Sequence, residues 1–192
     1  MGETGFKINN NPIKIHNLIT PRLLDSLKKL NSLISSGDKG TLLYVIHLMR
    51  KWLTDQGRGE DLKLLKLIEE RIKVVMWALE PMYHILEILS ESHVELEKER
   101  VKKLVEYISY PYSMTVNEII NEALINIIRD VAQDTGGVPY EILDEYDEFK
   151  KAWNSAYGDI VEELKNMVGE VPFKGDVKDL GVPGKGSLCR FR

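Results

Sequence analysis

Apolar residues recur at steps of three and four along most of this chain, which is the spacing of one face of an α-helix. A short strand or extended arm is expected around residues 12–19. The pattern predicts an all-α protein, a multi-helix bundle of about six or seven helices. We assign residues 1–168 to one helical domain, which begins with an irregular arm over residues 1–19.

The first two helices have clear boundaries. Thr20 and Pro21 form a good N-terminus, since threonine caps a helix and proline lacks the N–H that the first turn leaves unpaired. Gly37 marks the end of this helix. The second helix, predicted over 41–54, is apolar almost all round. A helix of that kind is buried in a core or in an interface.

Pro81 separates two predicted elements. A helix is expected over about 60–79, and Pro81 should end or kink it, because proline cannot donate the helical hydrogen bond. A short helix over about 82–90 then follows.

Two further helices are predicted from capping-box spacings, a Ser or Thr followed three residues later by Glu. Ser92 with Glu95 should begin a helix that Pro111 stops, and Thr115 with Glu118 should begin the next, which ends at Gly136.

Pro139 should open an acidic helix over 140–168, which Gly158 could divide into two. Across all the helices, eleven residues are expected in or near the core: Leu27, Val45, Ile46, Ile68, Ile72, Val75, Leu104, Ile120, Leu124, Ile127 and Trp153.

The last residues, 169–192, differ in composition from the helical domain. They contain five glycines and two prolines, so they predict an extended tail. Apolar residues are nevertheless spaced along it, including Phe173 and Leu188. A tail with regular apolar residues is expected to dock on its own core or on a partner.

Composition narrows the class of protein. The 192 residues include one cysteine, Cys189, so an internal disulfide and a cysteine zinc site are excluded. No apolar run is long enough to span a bilayer, and no secretory signal is visible at the N-terminus, so we expect a soluble cytoplasmic protein without membrane partners. Abundant Glu, Lys, Ile and Leu with only two glutamines is typical of thermophilic proteins.

Charge is unevenly distributed, although the net charge is only −4. Residues 1–53 carry eight basic and three acidic residues, whereas residues 116–169 carry four basic and twelve acidic residues. A basic end and an acidic end on one molecule favour head-to-tail association.

No catalytic, metal or cofactor motif stands out, so no cofactor and no catalytic residues are assigned. The glycine-rich 181–187 does not match a phosphate loop, because Gly186 separates Lys185 from Ser187. We therefore favour a non-catalytic binding or assembly module that acts through protein–protein contacts, with self-association included. The candidate interface residues are Trp52, Asp144, Glu145, Asp147, Glu148, Phe173 and Leu188.

Two alternatives remain open. The basic N-terminal region and the C-terminal end could bind nucleic acid, because lysine and arginine neutralise phosphates and an aromatic ring can stack on a base. The candidate contacts are Lys7, Lys14, Arg22, Lys28, Lys29, Lys185, Arg190, Phe191 and Arg192. The other alternative is a small helical enzyme with a site between helices.

The stretch Leu67–Lys73, followed by the helix predicted from Glu95 to Ile108, resembles the helical domain of GINS-type replication proteins. This resemblance covers less than a third of the chain, and any amphipathic helix could supply its residues. The small β-rich domain of those proteins is not evident, so the sequence is assigned to no family.

Overall fold

The computed structural model describes residues 11–169, which form an all-α fold, as predicted. The helical elements are α1 (Pro21–Ser35), α2 (Leu42–Asp55), α3 (Gly59–Ser90), α4 (Lys98–Met114), a π-helical segment (Thr115–Leu124), α5 (Ile125–Thr135) and α6 (Tyr140–Val168). The chain continues from α4 through the π-helical segment into α5 without a break. The described residues therefore contain five continuous helical rods, slightly below the predicted number of about six or seven.

The N-terminal arm is partly ordered by a two-stranded sheet. β1 (Ile13–Lys14) pairs antiparallel with β2 (Glu95–Leu96), so that Ile13 lies opposite Leu96 and Lys14 opposite Glu95. A single 3₁₀ turn (Ile15–Asn17) follows β1, and Ile15 is fully buried. Residues 1–10 of the predicted arm and the predicted tail beyond Gly169 lie outside the described residues.

Helix α1 begins as the sequence predicts. The side chain of Thr20 accepts a hydrogen bond from the amide of Leu23 at 3.1 Å, and Pro21 occupies the first turn. The same hydroxyl donates to the carboxylate of Glu163 in α6 at 2.9 Å. One residue therefore caps α1 and ties it to α6.

Pro81 does not end a helix, which corrects one prediction. Helix α3 runs through it for 32 residues. Interrupting a helix with proline costs about 3 kcal/mol, but α3 buries seven apolar side chains on both sides of Pro81, each worth about 1.5–3 kcal/mol. Burial therefore outweighs the lost hydrogen bond. Gly158 likewise lies within an unbroken α6.

The Pro111 and Thr115 predictions are also wrong, for a related reason. Pro111 is buried inside α4, and the hydroxyl of Thr115 donates to the Pro111 carbonyl at 2.8 Å instead of capping a new helix. The helix continues as a π-helical segment. Its i→i+5 hydrogen bonds widen the turn and keep the rod continuous.

Ser92 and Glu95 do not form the predicted capping box. The hydroxyl of Ser92 donates to the Leu89 carbonyl at 3.0 Å, at the end of α3, and Glu95 belongs to β2. Helix α4 begins only at Lys98. Pairing with β1 holds residues 95–96 extended, and this distant contact is invisible in the local sequence.

The core lies between the helices in one continuous cluster. Helices α1 and α2 each pack against both α3 and α6, and α4 also packs against α6. Ten of the eleven predicted core residues are buried, and Leu104 is half-buried against the same cluster, so the predicted core is confirmed. At its centre Trp153 stacks on Tyr157, with ring centroids 6.2 Å apart.

Candidate protein-interaction surface

Helix α3 has two apolar faces. One face packs into the core, and its residues recur at alternating steps of three and four: Leu65, Ile68, Ile72, Val75, Leu79, Met82 and Leu86. The second face points away from the bundle and begins one residue earlier, and its large apolar residues are three, seven or eight residues apart. We call it the α3 stripe; its large exposed residues are Leu64, Leu67, Val74, Trp77, Ile85 and Ile88.

The exposure of the α3 stripe is unusual for such large side chains. Trp77 is 80% exposed, whereas Trp52 and Trp153 are almost completely buried. Ile88 is 68% and Leu67 61% exposed. Single exposed apolar residues are ordinary, but a continuous apolar patch marks an interaction site. The α3 stripe is therefore the strongest candidate surface in the described part of the chain.

Two charged residues, Glu70 and Arg71, fall within the stripe between Leu67 and Val74. Arg71 occupies the step between Leu67 and Val74, but its guanidinium reaches sideways to Glu118 at 2.8 Å. The pairing directs the positive charge toward the π-helical segment.

A groove runs along each side of the α3 stripe. The groove between α3 and the π-helical segment has a volume of about 360 Å³ and is bordered by Leu64, Leu67 and Ile119. The groove between α1 and α3 has a volume of about 430 Å³ and is lined by Trp77, Tyr83 and Lys28, among others. A partner lying along α3 would have apolar recesses on both sides.

A row of charged residues follows one flank of the stripe. Lys66, Lys73, Glu80 and Glu87 are all exposed and are spaced seven residues apart, so they form a line nearly parallel to the helix axis. The two lysines lie in the N-terminal half and the two glutamates in the C-terminal half. Within this row, the carboxylate of Glu87 lies 3.6 Å from the His84 ring, and no described residue forms an ion pair with the other three.

The predicted interface residues of α2 and α6 lie away from this stripe. Trp52 lines a hollow of about 570 Å³ together with Tyr140 and Pro139, at the junction of α2, α5 and α6. Trp52 is nevertheless mostly buried. Its main contribution is to the core, and only its edge reaches the hollow.

The acidic cluster of α6 is divided between several environments. Glu145 is buried and accepts a hydrogen bond from the backbone of Gly40, so it holds the loop before α2. Asp147 pairs with Lys151 at 3.1 Å, Asp144 is half-buried, and Glu148 is exposed. The cluster does not form a single uniform acidic surface. Phe173 and Leu188 lie outside the described residues.

The basic residues predicted to contact nucleic acid lie only partly within the described part of the chain. Lys14 lies across β1–β2 from Glu95, while Lys28 and Lys29 are exposed on α1. Lys7, Lys185, Arg190, Phe191 and Arg192 lie outside the described residues. Four of the nine predicted contacts, Lys14, Arg22, Lys28 and Lys29, therefore fall within the described residues.

Arg22 is surrounded by carboxylates of α6. Its guanidinium hydrogen-bonds Asp159 at 2.9 Å and Glu162 at 3.1 Å, and Glu163 lies 3.5 Å away. Hydrogen bonding to Glu162 and Asp159 raises the pKa of Arg22 further above its ordinary value. Part of the basic N-terminal charge is thus neutralised within the molecule by the acidic helix.

No group of three or more His, Cys, Asp or Glu side chains in segment 11–169 is arranged to hold a metal ion. Within that segment, none of the helices combines the length and the apolar character needed to cross a lipid bilayer.

Comparison with known proteins gave no relative: no family model, no curated protein and no solved structure matches this chain. The α3 stripe was missed at the level of sequence, although its periodicity is visible there. The first apolar row of α3 already accounted for a helix. A second apolar row on the same helix is the sequence pattern that could have indicated an additional contact surface.

Proposed function

We propose that this protein is a non-catalytic helical module that acts by binding protein through the α3 stripe. The observation that carries this proposal is the exposure of six large apolar side chains along one face of the longest helix. Burying such a face against another helix gains about 25 cal/mol for each Å² of apolar surface removed from water. When a helix binds in this way, its apolar side chains at spacings of three, four and seven residues insert into a groove of the partner.

Charge and shape support the same proposal. The stripe is flanked by exposed charges and by grooves, which is the arrangement of an apolar interface centre with a polar rim. Trp77 is at the middle of the stripe, and tryptophan is among the residues that contribute most to protein interfaces.

A photo-crosslinking experiment tests this proposal in the full chain. The photoreactive residue p-benzoylphenylalanine would replace Ile85 in the stripe or, as the matched control, the exposed Glu141 on α6. We expect protein adducts from position 85 and fewer from position 141, because only the first lies on the binding face. Equal labelling from both positions, or adducts that nuclease removes, would contradict the proposal.

A further inference from the structure

We infer that the α3 stripe binds a second copy of this chain, with the two α3 helices antiparallel. This inference rests on the proposed function, since it names the partner of the same surface. The supporting observation is the order of charges along the flank of the stripe.

The flanking charges are self-complementary in only one direction. Two antiparallel helices centred between Met76 and Trp77 bring Lys66 of one copy opposite Glu87 of the other. The same register brings Lys73 opposite Glu80. In a parallel twofold pair, this row of one copy would lie on the opposite side of the contact from the same row of the other copy, so the four charges would not face one another. Complementary charges along a helix flank select orientation and register.

The apolar residues fit that register as well. Leu67 of one copy falls opposite Ile85 of the other, and Leu64 falls opposite Ile88. Trp77 lies beside the twofold axis, next to its own counterpart. A twofold contact must use one surface on both copies. The apolar pairs are centred on Met76 and the charged pairs between Met76 and Trp77, so the two midpoints differ by half a residue.

The charges of this row are available for such pairing. All four side chains are exposed, and no described residue forms an ion pair with Lys66, Lys73 or Glu80. Residues 170–192 also contain apolar side chains and are a competing occupant of the stripe. The self-complementary row favours the second copy, because it supplies both charge partners without any further segment.

The size of the contact sets the conditions of measurement. From Leu64 to Ile88 the helix rises about 36 Å, and its width is about 12 Å. That footprint is smaller than the roughly 800 Å² per partner of a standard stable interface. We therefore expect a weak dimer that dissociates on dilution.

Charge reversal tests the pairing. We would compare the wild type with K66E/K73E and with E80K/E87K by sedimentation equilibrium at low salt, from about 1 to about 200 µM. Each variant alone places like charges opposite one another, so its dimer dissociation constant should rise at least tenfold. An equimolar mixture of the two variants should restore association to within a few-fold of wild type, because opposite charges face each other again.

Several outcomes would overturn this inference. They are a wild type that stays monomeric over the whole concentration range, variants that associate as tightly as wild type, and a mixture that does not recover. Thermal melts followed by circular dichroism check that both variants fold. Because all four positions are exposed, their melting temperatures at low concentration should match that of wild type.

Disulfide trapping tests the direction of the helices. In a Cys189→Ser background, chains carrying Leu67→Cys are mixed with chains carrying Ile85→Cys and oxidised. The antiparallel register predicts a mixed disulfide and little Leu67→Cys homodimer, whereas preferential homodimer formation would indicate parallel helices and refute the register.

The crosslinking experiment distinguishes failure of this inference from failure of the proposed function. Adducts from position 85 that contain two copies of this chain support the second copy. Adducts that contain a different protein, or a monomer-sized adduct to residues 170–192, overturn the dimer. If the adducts contain a different protein, the stripe still binds a protein partner and the proposed function stands.

Discussion

The backbone amide of Gly40 donates a hydrogen bond of 2.7 Å to the carboxylate of Glu145, which is 8% exposed. Gly40 has a φ of +78°, a conformation that side-chain-bearing residues rarely adopt. The bond joins the turn before α2 to the N-terminal part of α6. A residue that the sequence places in an acidic surface cluster therefore holds two distant parts of the fold together.

Replacing Glu145 with alanine should lower the free energy of unfolding by about 1–3 kcal/mol, because the half-buried amide of Gly40 loses its partner. Urea denaturation followed by circular dichroism would measure this change. The exposed neighbour Glu148 is the matched control, and Glu148→Ala should change stability by less than about 0.5 kcal/mol. Equal denaturation midpoints for both variants would mean that the Gly40 bond contributes nothing.

Trp77 should be dispensable for folding. Because it is 80% exposed, Trp77→Ala should change the free energy of unfolding by less than about 0.5 kcal/mol at low protein concentration. Trp153→Ala at the core centre should cost about 3–5 kcal/mol. Chemical denaturation of the two variants makes this comparison, and a large loss of stability from Trp77→Ala would show that its ring packs within the monomer.

Pro81 should reduce the stability of α3. Proline at this exposed position removes one helical hydrogen bond, so Pro81→Ala should stabilise the protein by about 1–2 kcal/mol after the greater entropy of the unfolded alanine chain is counted. Pro111→Ala is the contrasting variant, because Pro111 is buried and its replacement also removes packing. The urea concentrations at the midpoint of unfolding would be compared for wild type and both variants. A Pro81→Ala variant less stable than wild type would contradict the expectation.

Two buried tyrosines predict loss of stability in alkali. Burial raises the pKa of both Tyr112 and Tyr146 well above the ordinary value of 10. Above about pH 10 the unfolded chain releases these phenolic protons while the folded chain retains them, so the free energy of unfolding falls as pH rises. The stability that depends on the protonated phenols is fully present below pH 10. It is lost as the pH rises from 10 toward the raised pKa of the folded state.

Denaturation at pH 9, 10 and 11 would measure this decline. Tyr146→Phe should make the decline shallower, since one titrating phenol is removed and its 3.4 Å bond to the Ile120 carbonyl is weak. Tyr107→Phe is the control, because Tyr107 is half-exposed. If the wild type were equally stable at all three values of pH, the proposed cause would be refuted.

The sequence by itself determined the helical class, the core and several helix ends. Thr20 and Gly136 bound helices as predicted because their signals are local: a side chain that caps its own helix, and a glycine that adopts a positive φ of 83°. The periodicity of apolar residues likewise identified the core, since burial is the strongest favourable contribution to folding.

Only the tertiary structure decided where the local signals are overridden. Pro81 and Pro111 lie inside helices because burial on both sides outweighs one lost hydrogen bond, and Ser92 ends α3 while β1 keeps Glu95 extended. Arg22 and Glu145 carry charges that the sequence assigns to outside partners, yet both contact residues distant in the same chain. The exposure of the α3 stripe is also decided by the tertiary structure. Its periodicity is written in the sequence, but which of two apolar faces stays outside depends on how the other helices pack.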